Sequence, residues 1–423
     1  MSQAKTEPRL ERGSAEQHQG AAMTKGWQTK TIGDVCEFQR GLTYAKGDEV
    51  DVSDNVVLRA TNIDLATNLL SFDDLKYIND KVVVPESKKV KKGSLMICTA
   101  SGSKSHLGKV AYIDDDYGYA FGGFMGMLTP LNGLLPRYLF HLMTSNDYKD
   151  FIDALSDGAN INNLTFDNLK RFPVPVPPLP EQRRIVGLLD EAFEDLATAK
   201  ANAEKNLQNA RALFESHLQS VLRSKKWKWK TLGDLCDDVE YGSAAKSKKE
   251  GKVPVLRMGN IQDGQLDWEN LVYTDDRDEI KKYLLKHNDV LFNRTNSPEL
   301  VGKTAIYKSQ MPAIFAGYLI RIRRKEELLD AGFLNYFLNS QIAIDYGKTV
   351  VISSVNQANI NGTKLKGYPI PAPSLSEQKT IVAKLDSLTE ETQRLARLYE
   401  RKLAALATLK KSLLHQAFTG QLQ

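Results

Sequence analysis

The stretch Phe172-Pro-Val-Pro-Val-Pro-Pro-Leu-Pro-Glu-Gln182 returns as Tyr368-Pro-Ile-Pro-Ala-Pro-Ser-Leu-Ser-Glu-Gln378. Proline fixes φ and disfavours helix in the residue before it, so each copy predicts an extended segment followed at once by a helix. Beyond Glu181 the apolar residues Leu189, Phe193, Leu196, Ala199, Ala203, Leu207, Ala210, Phe214, Leu218 and Val221 fall at steps of three and four, one face of a helix ending near Leu222. A second helix, Glu377 to about Phe418, carries Leu385, Leu388, Thr392, Leu395, Tyr399, Leu406, Leu409 and Leu413. At 1.5 Å per residue each helix is roughly 60 Å long. Neither stripe is stable in water. Antiparallel packing of the two helices is the economical solution, and packing of each helix on its own globule is the alternative.

Working outward, the repeat runs from Trp27 into the second long helix. Trp27-Gln-Thr-Lys-Thr-Ile-Gly-Asp-Val-Cys36 matches Trp227-Lys-Trp-Lys-Thr-Leu-Gly-Asp-Leu-Cys236, Val57-Leu-Arg-Ala-Thr-Asn-Ile63 matches Val255-Leu-Arg-Met-Gly-Asn-Ile261, and Leu107-Gly-Lys-Val-Ala-Tyr112 matches Val301-Gly-Lys-Thr-Ala-Ile306. Collinear matches of this kind mark a duplication. Each copy opens with short β-like runs: Val56–Leu58, Lys81–Val84, Ser94–Cys98 and Lys109–Ile113 in the first, Asp289–Phe292 and Leu319–Arg323 in the second. Helical stretches, Pro136–Ile152 and Ala331–Tyr346, intervene. The expected class is α+β (mixed α/β): two similar globular domains and two long antiparallel helices with an internal pseudo-twofold. The boundaries read 1–22 a disordered leader, 23–178 the first globule, 179–222 the first helix, 223–374 the second globule and 375–423 the second helix. Met23 is a candidate second start.

Composition bounds the chemistry. The 423 residues are 42% hydrophobic and 26% charged, with net charge +5. No apolar run nears the ~20 residues of a membrane span. Three cysteines without a CxxC pair read as buried thiols in a reduced, cytoplasmic setting. The surplus of positive charge lies in the second half, so bulk charge does not by itself mark a nucleic-acid binder. Val301-Gly-Lys-Thr304 lacks the glycine at 297 that a phosphate loop needs, since Ser297 stands there. Phe121-Gly-Gly-Phe-Met-Gly126 reads as a close-packed strand or bend. The triplets Glu86-Ser-Lys88 and Glu279-Ile-Lys281 lack the acidic partner of a nuclease, and no amino-methyltransferase loop occurs. His106, His141 and His287 stand without metal-ligand spacing. No metal site and no catalytic centre is expected.

What recurs in both halves is a set of polar, glycine-bearing loops. The first half offers Arg40, Thr43, Tyr44 and Lys46; Arg59 and Asn62; Ser101, Ser103 and Lys104; and Lys109. The second offers Tyr241, Ser243 and Lys246; Arg257 and Asn260; Asn293, Arg294, Thr295 and Asn296; and Lys303. Lys, Ser, Thr and backbone N–H groups near glycine hold phosphates, whereas Arg and Asn read purine edges bidentately. Solvated turns are the plain alternative for any one loop. Basic runs, Lys88–Lys92, Lys246–Lys252 and Arg223–Lys230, add cationic surface.

These motifs resemble the specificity (S) subunit of type I restriction-modification systems. The resemblance covers nearly all of residues 23–423 and rests most firmly on Pro178-Leu-Pro-Glu-Gln-Arg-Arg-Ile-Val186, its copy Ser374–Val382, and Asp289-Val-Leu-Phe-Asn-Arg-Thr-Asn-Ser297. It implies a non-catalytic DNA-binding subunit: two target recognition domains, each reading half of a split, asymmetric site, with the helices as spacer. It implies double-stranded DNA, two methylation subunits and restriction subunits as partners. No cofactor is expected in this chain, because S-adenosylmethionine, ATP and Mg²⁺ belong to the partners. Thr99-Ala-Ser-Gly-Ser103 departs from the Asn-Arg-Thr-Asn-Ser pattern, which weakens residue-by-residue transfer in the first domain. Half-sites about one helical turn apart, ~34 Å, would suit two such domains. A protein scaffold without DNA affinity and a free-standing nuclease remain the competing classes.

Overall fold

The computed structural model describes residues 26–102, 104–156, 163–223, 227–354 and 357–422. The expected leader 1–22, Met23, Ser103, Lys225 and Lys226 lie outside these residues, as does the side chain of Lys104. The chain divides into two units, one running to Asn202 and resuming at Lys402, the other Ala203–Arg401. The division passes through both long helices, so each unit owns half of each helix. Each half-helix packs into the core of the unit it joins.

Unit 1 begins where Gln28–Thr31 pairs antiparallel with Pro173–Val176, the proline stretch singled out above. A two-stranded ribbon tolerates proline, which has no N–H to donate to a further strand. Thr31 then caps the one-turn helix Ile32–Val35. The Asp34 carboxylate accepts from the Thr31 backbone N–H at 2.9 Å and from its hydroxyl at 2.8 Å. Gly33 packs against the segment just before the proline stretch, where a Cβ would stand 3.0 Å from Lys170 Cβ. This accounts for the repeated Thr-x-Gly-Asp signature.

Strands Cys36–Arg40, Met125–Pro130, Leu95–Cys98 and Val110–Tyr112 form an antiparallel sheet in that order. A second sheet joins Glu49–Val50, Lys76–Ile78, Asn55–Leu58 and Ala120–Phe121, the last two strands being parallel. Unit 2 repeats the first sheet in full and the second without its outer strand. The first runs Cys236–Tyr241, Leu319–Arg324, Asp289–Asn293, Thr304–Tyr307, and the second Val272–Thr274, Val253–Leu256, Ile314–Phe315. Its opening ribbon pairs Trp229–Thr231 with Pro369–Pro371.

Two local expectations change. Lys81–Val84 is not a strand: the Val82 N–H donates to Asn79 O at 2.9 Å, closing a turn, and Val83 is 84% exposed. The expected helices Pro136–Ile152 and Ala331–Tyr346 are each two helices, Pro136–Leu142 with Asn146–Ser156 and Ala331–Leu338 with Gln341–Val350. A buried serine restarts the second of each pair, since Ser145 Oγ accepts from Tyr148 N–H and Ser340 Oγ from Ala343 N–H. Cys36, Cys98 and Cys236 are free buried thiols, and burial pushes Cys36 up to about 12.

The long helices are Leu179–Leu222 and Leu375–Thr419. Within unit 1, Ile185 and Leu189 join a core that also holds Leu414, Ala417 and Phe418. Arg184 donates to Leu422 O at 2.7 Å, and Lys410 lies 5.0 Å over the Phe193 ring. Rising numbers on one helix meet falling numbers on the other, so the two half-helices there are antiparallel. Within unit 2, Leu218, Leu222 and Leu385 share a core, and Arg211 meets Glu400 at 3.1 Å. Leu409 leaves the stripe and is 47% exposed.

The Glu-Gln of the repeated stretch now has a cause. Gln182 is fully buried: its Nε2 donates to Gly133 O and Pro177 O, and its Oε1 accepts from Leu135 N–H, all at 2.8 Å. Gln378 repeats the pattern with Leu328 O, Pro373 O and Asp330 N–H. One amide therefore ties the proline segment, the start of the long helix and the start of a globule helix together. Gln182→Leu or Gln378→Leu should destabilise its unit by about 3 kcal/mol, because three buried backbone groups lose their partner. Denaturant unfolding of the full chain measures this, and a loss below ~1 kcal/mol would contradict the clamp.

Candidate nucleic-acid interface

In unit 2 four segments converge beyond the end of strand Cys236–Tyr241. Gly242 lies so close to the neighbouring turn that a Cβ would stand 2.3 Å from Phe315 O. The Ser243 N–H donates to Phe315 O at 2.8 Å, and Gly317 N–H returns a bond to Ser243 O at 2.7 Å. Arg294 follows strand Asp289–Asn293, and its backbone N–H donates to Tyr318 O at 3.0 Å. Its guanidinium lies 4.9 Å over the Tyr241 ring, and Nη1 donates to Gly317 O at 3.2 Å. The Tyr241 hydroxyl in turn accepts from Gly362 N–H at 2.7 Å. Arg294 O accepts from Ile360 N–H, and Thr295 Oγ1 from Asn359 Nδ2. Tyr241, Ser243, Arg294 and Thr295 are thus brought together, with Arg294 stacked and half-buried, a pre-set cation with unused donors.

The other predicted residues of unit 2 divide between a second turn and the framework. Asn260 is buried: its Oδ1 accepts from Arg257 N–H at 2.9 Å and its Nδ2 donates to Asp267 O and Glu269 O. Arg257 stays exposed above it, held by one bond to Asn270 O. Lys303 reaches the same turn through Gln262. Asn293 is fully buried and ties the following turn, donating to Leu300 O. Asn296 accepts from Ser297 N–H, Ser243 Oγ donates to Glu279, and Lys246 is exposed on its own loop.

Unit 1 builds the same two turns with other side chains. Gly41 packs even tighter, a Cβ there falling 1.9 Å from Gly122 O. Leu42 N–H donates to Phe121 O, and Thr43 is exposed with Oγ1 beside Gly123. By strand register Thr99, not the Ala100 that the sequence alignment pairs with it, occupies the place of Arg294. Thr99 is buried, its N–H donates to Phe124 O at 2.9 Å, its O accepts from Leu164 N–H, and its hydroxyl also donates to Phe124 O. The departure noted in the sequence therefore removes the cation while the backbone bond beneath it is kept, with Ala100 N–H adding a second bond to Phe124 O at 3.1 Å. Arg40, exposed, supplies one from the adjoining strand and lies 5.3 Å over Phe166. Tyr44 is half-buried, Lys46 is exposed and Ser101 is half-buried. At the second turn Asn62 is buried, accepting from Arg59 N–H and donating to Ser71 O and Asp74 O. Arg59 is ion-paired with Asp74 at 2.8 Å. Lys109 donates to Ile63 O, and burial pushes its amine below the ordinary lysine range.

Asn62, Asn260 and Asn293 thus direct their amides inward. They hold turns in place, and the outward groups are Arg40, Thr43, Arg257, Tyr241 and Arg294. Sequence reasoning passed over the turn tips Phe124 and Tyr318, although the glycine-rich Phe121–Gly126 run flagged the first. Among the described residues no group of three or more His, Cys, Asp and Glu is placed to hold a metal ion. No described helix is long and apolar enough to cross a membrane. Removing the hydroxyl in Tyr241→Phe should cost about 1–2 kcal/mol and speed hydrogen exchange at Gly362, while the ring keeps Arg294 in place. Unchanged exchange at that amide would contradict the assigned bond.

Two duplicated units, each with the same pair of sheets and the same pair of outward turns, define a bipartite recognition protein. The chain belongs to the type I restriction modification DNA specificity family, whose domain matches residues 24–206 and again 224–400. It is 30% identical over 420 residues to the type I restriction enzyme StySPI specificity subunit of Salmonella potsdam, covering 95% of this chain and 90% of that one. It is 27% identical over 421 residues to the EcoKI specificity subunit of Escherichia coli K12, with the same coverage. In fold it is similar to a chain from a type I R-M system studied for complex assembly and conformational transition (TM-score 0.77, 21% identity, 95% of this chain and 100% of that one). The HsdS subunit of Thermoanaerobacter tengcongensis is also similar (TM-score 0.61, 20% identity, 95% and 98%).

Proposed function

We propose that each unit reads one half of a split, asymmetric site in double-stranded DNA, and that the long helices set the gap and dock two methylation subunits. Restriction subunits complete the assembly, and the whole acts on DNA in the cytoplasm. S-adenosylmethionine, ATP and Mg²⁺ then belong to the partner chains, which methylate adenine or cleave. The observation that carries this reading is the pair of turns built twice on equivalent backbone connections but with different side chains: Arg294 against Thr99, Tyr241 against Arg40. Equivalent backbone gives the two units one way of meeting a duplex, and different side chains give them different bases to prefer. The first recognition domain carries net negative charge by sequence, so its contact must be local, through Arg40, Thr43 and Lys46, with partners adding positive surface.

Two experiments test this. Arg294→Ala, purified with the methylation subunit, should lose about tenfold or more in affinity for its target and relax one half-site only. Equal binding and an unchanged methylation pattern would remove Arg294 from the interface. Inserting one helical turn into both long helices should lengthen the unread gap while leaving both half-sites intact. Sequencing of methylated bases in a host carrying the variant reads this directly, and retention of the original gap would refute the spacer role.

A further inference from the structure

The tips of two equivalent turns carry large aromatic side chains that the fold leaves uncovered. Phe124 is 73% exposed and Tyr318 is 50% exposed. A single exposed apolar side chain is ordinary, with Val52 at 81% and Val83 at 84% as exposed as Phe124. What sets these two apart is that an aromatic ring stands outward at the same tip in both units, each forgoing roughly 2 kcal/mol of burial. The backbone below each ring is firmly held. Phe124 O accepts from the Thr99 N–H, the Ala100 N–H and the Thr99 hydroxyl, and Met125 N–H closes the turn onto Gly122 O at 2.8 Å. Tyr318 O accepts from Arg294 N–H, and Leu319 N–H closes onto Ala316 O at 2.8 Å. Neither ring therefore sits on a loose loop. Each is a fixed probe at the end of a strand.

The surroundings indicate what it probes. Gly123, next to Phe124, lies beside the Thr43 hydroxyl, and Arg40 pairs in register with Gly126 two residues away. Gly317, next to Tyr318, accepts from the Arg294 guanidinium, which lies over Tyr241. An apolar ring ringed by a cation and hydroxyls suits a polyanion that carries apolar groups between its charges. In the major groove of DNA that apolar group is the thymine methyl, which aromatic side chains contact. The two copies have diverged around the tip, Gly122-Gly123-Phe124 against Ala316-Gly317-Tyr318, yet each ends in an aromatic residue.

We propose that Phe124 and Tyr318 are specificity-determining residues, each making the apolar base contact of its own unit with a thymine methyl in the half-site that unit reads. This rests on the proposed DNA function. The test uses the full chain assembled with its methylation subunit and a library of duplexes randomised across both half-sites. Phe124→Ala should lose about tenfold preference at one base pair of one half-site, leaving the other half-site and the salt dependence unchanged. Tyr318→Ala should do the same in the other half-site, and Phe124→Leu or Tyr318→Phe should keep most of the preference. Replacing the thymine with uracil at the affected position should cost the wild-type complex a similar factor and leave the alanine variant unaffected.

Unchanged selectivity in both alanine variants would overturn the proposal. So would a uniform loss across all duplexes, failure to assemble with the methylation subunit, or indifference of the wild type to uracil. A wild-type complex with no sequence preference would sink the DNA function itself. A selective wild type with equally selective alanine variants would sink only the role of these rings.

Discussion

The buried amide of Gln182, and its counterpart Gln378, is the constraint on which the rest of each unit depends. A proline-rich segment cannot satisfy its backbone through an ordinary sheet, and a long helix leaves its first N–H groups unpaired. One glutamine side chain accepts a single backbone N–H from the globule and donates to two carbonyls, one on the globule and one on the proline segment. It therefore fixes where the long helix leaves each globule. An apolar residue would fill the space and bury three unpaired groups, which explains why the motif ends in Glu-Gln in both copies.

From that anchor the proposed recognition surface follows by connection. The opening ribbon is held by the proline segment, the Thr-x-Gly-Asp turn packs against the residues just before that segment, Lys170 and Lys366, and the four-stranded sheet starts from there. Its far strand ends, Arg40 and Tyr241, reach glycines packed against a neighbouring turn too closely for any side chain. That contact draws the segments around residues 99–101 and 293–295 into one place. The backbone bonds at this position match in the two units, with Thr99 N–H meeting Phe124 O as Arg294 N–H meets Tyr318 O, so Thr99 in place of Arg294 changes the chemistry offered and leaves its placement intact. A recognition unit built in this way can alter its preference without altering its fold.

Electrostatics divides the candidate residues further. Arg59 is matched by Asp74 and Lys109 is drawn inward, its amine depressed by burial. In unit 2, Arg257 keeps one backbone acceptor and stays exposed, while Arg294 is stacked on an aromatic face. The second unit therefore offers more uncommitted cationic surface than the first, in line with where the sequence places its surplus of positive charge.

The sequence by itself determined the duplication, the α+β class, the ends of both long helices and the family, because these rest on periodicity and on motifs that are local or repeated at a fixed offset. It also marked Arg294, Tyr241 and Arg40 among the outward candidates. It could not tell that Asn62, Asn260 and Asn293 face inward, since an asparagine that holds a turn and one that could meet a base are the same letter beside the same arginine. Lys81–Val84 read as a strand because β-branched residues suit one, yet the bond from Val82 to Asn79 closes a turn there. Only the tertiary structure placed Phe124 and Tyr318 at uncovered tips. Whether a glycine-flanked aromatic is buried or exposed depends on which distant segment packs beneath its backbone, and pairing across some 25 residues of sequence leaves no local trace.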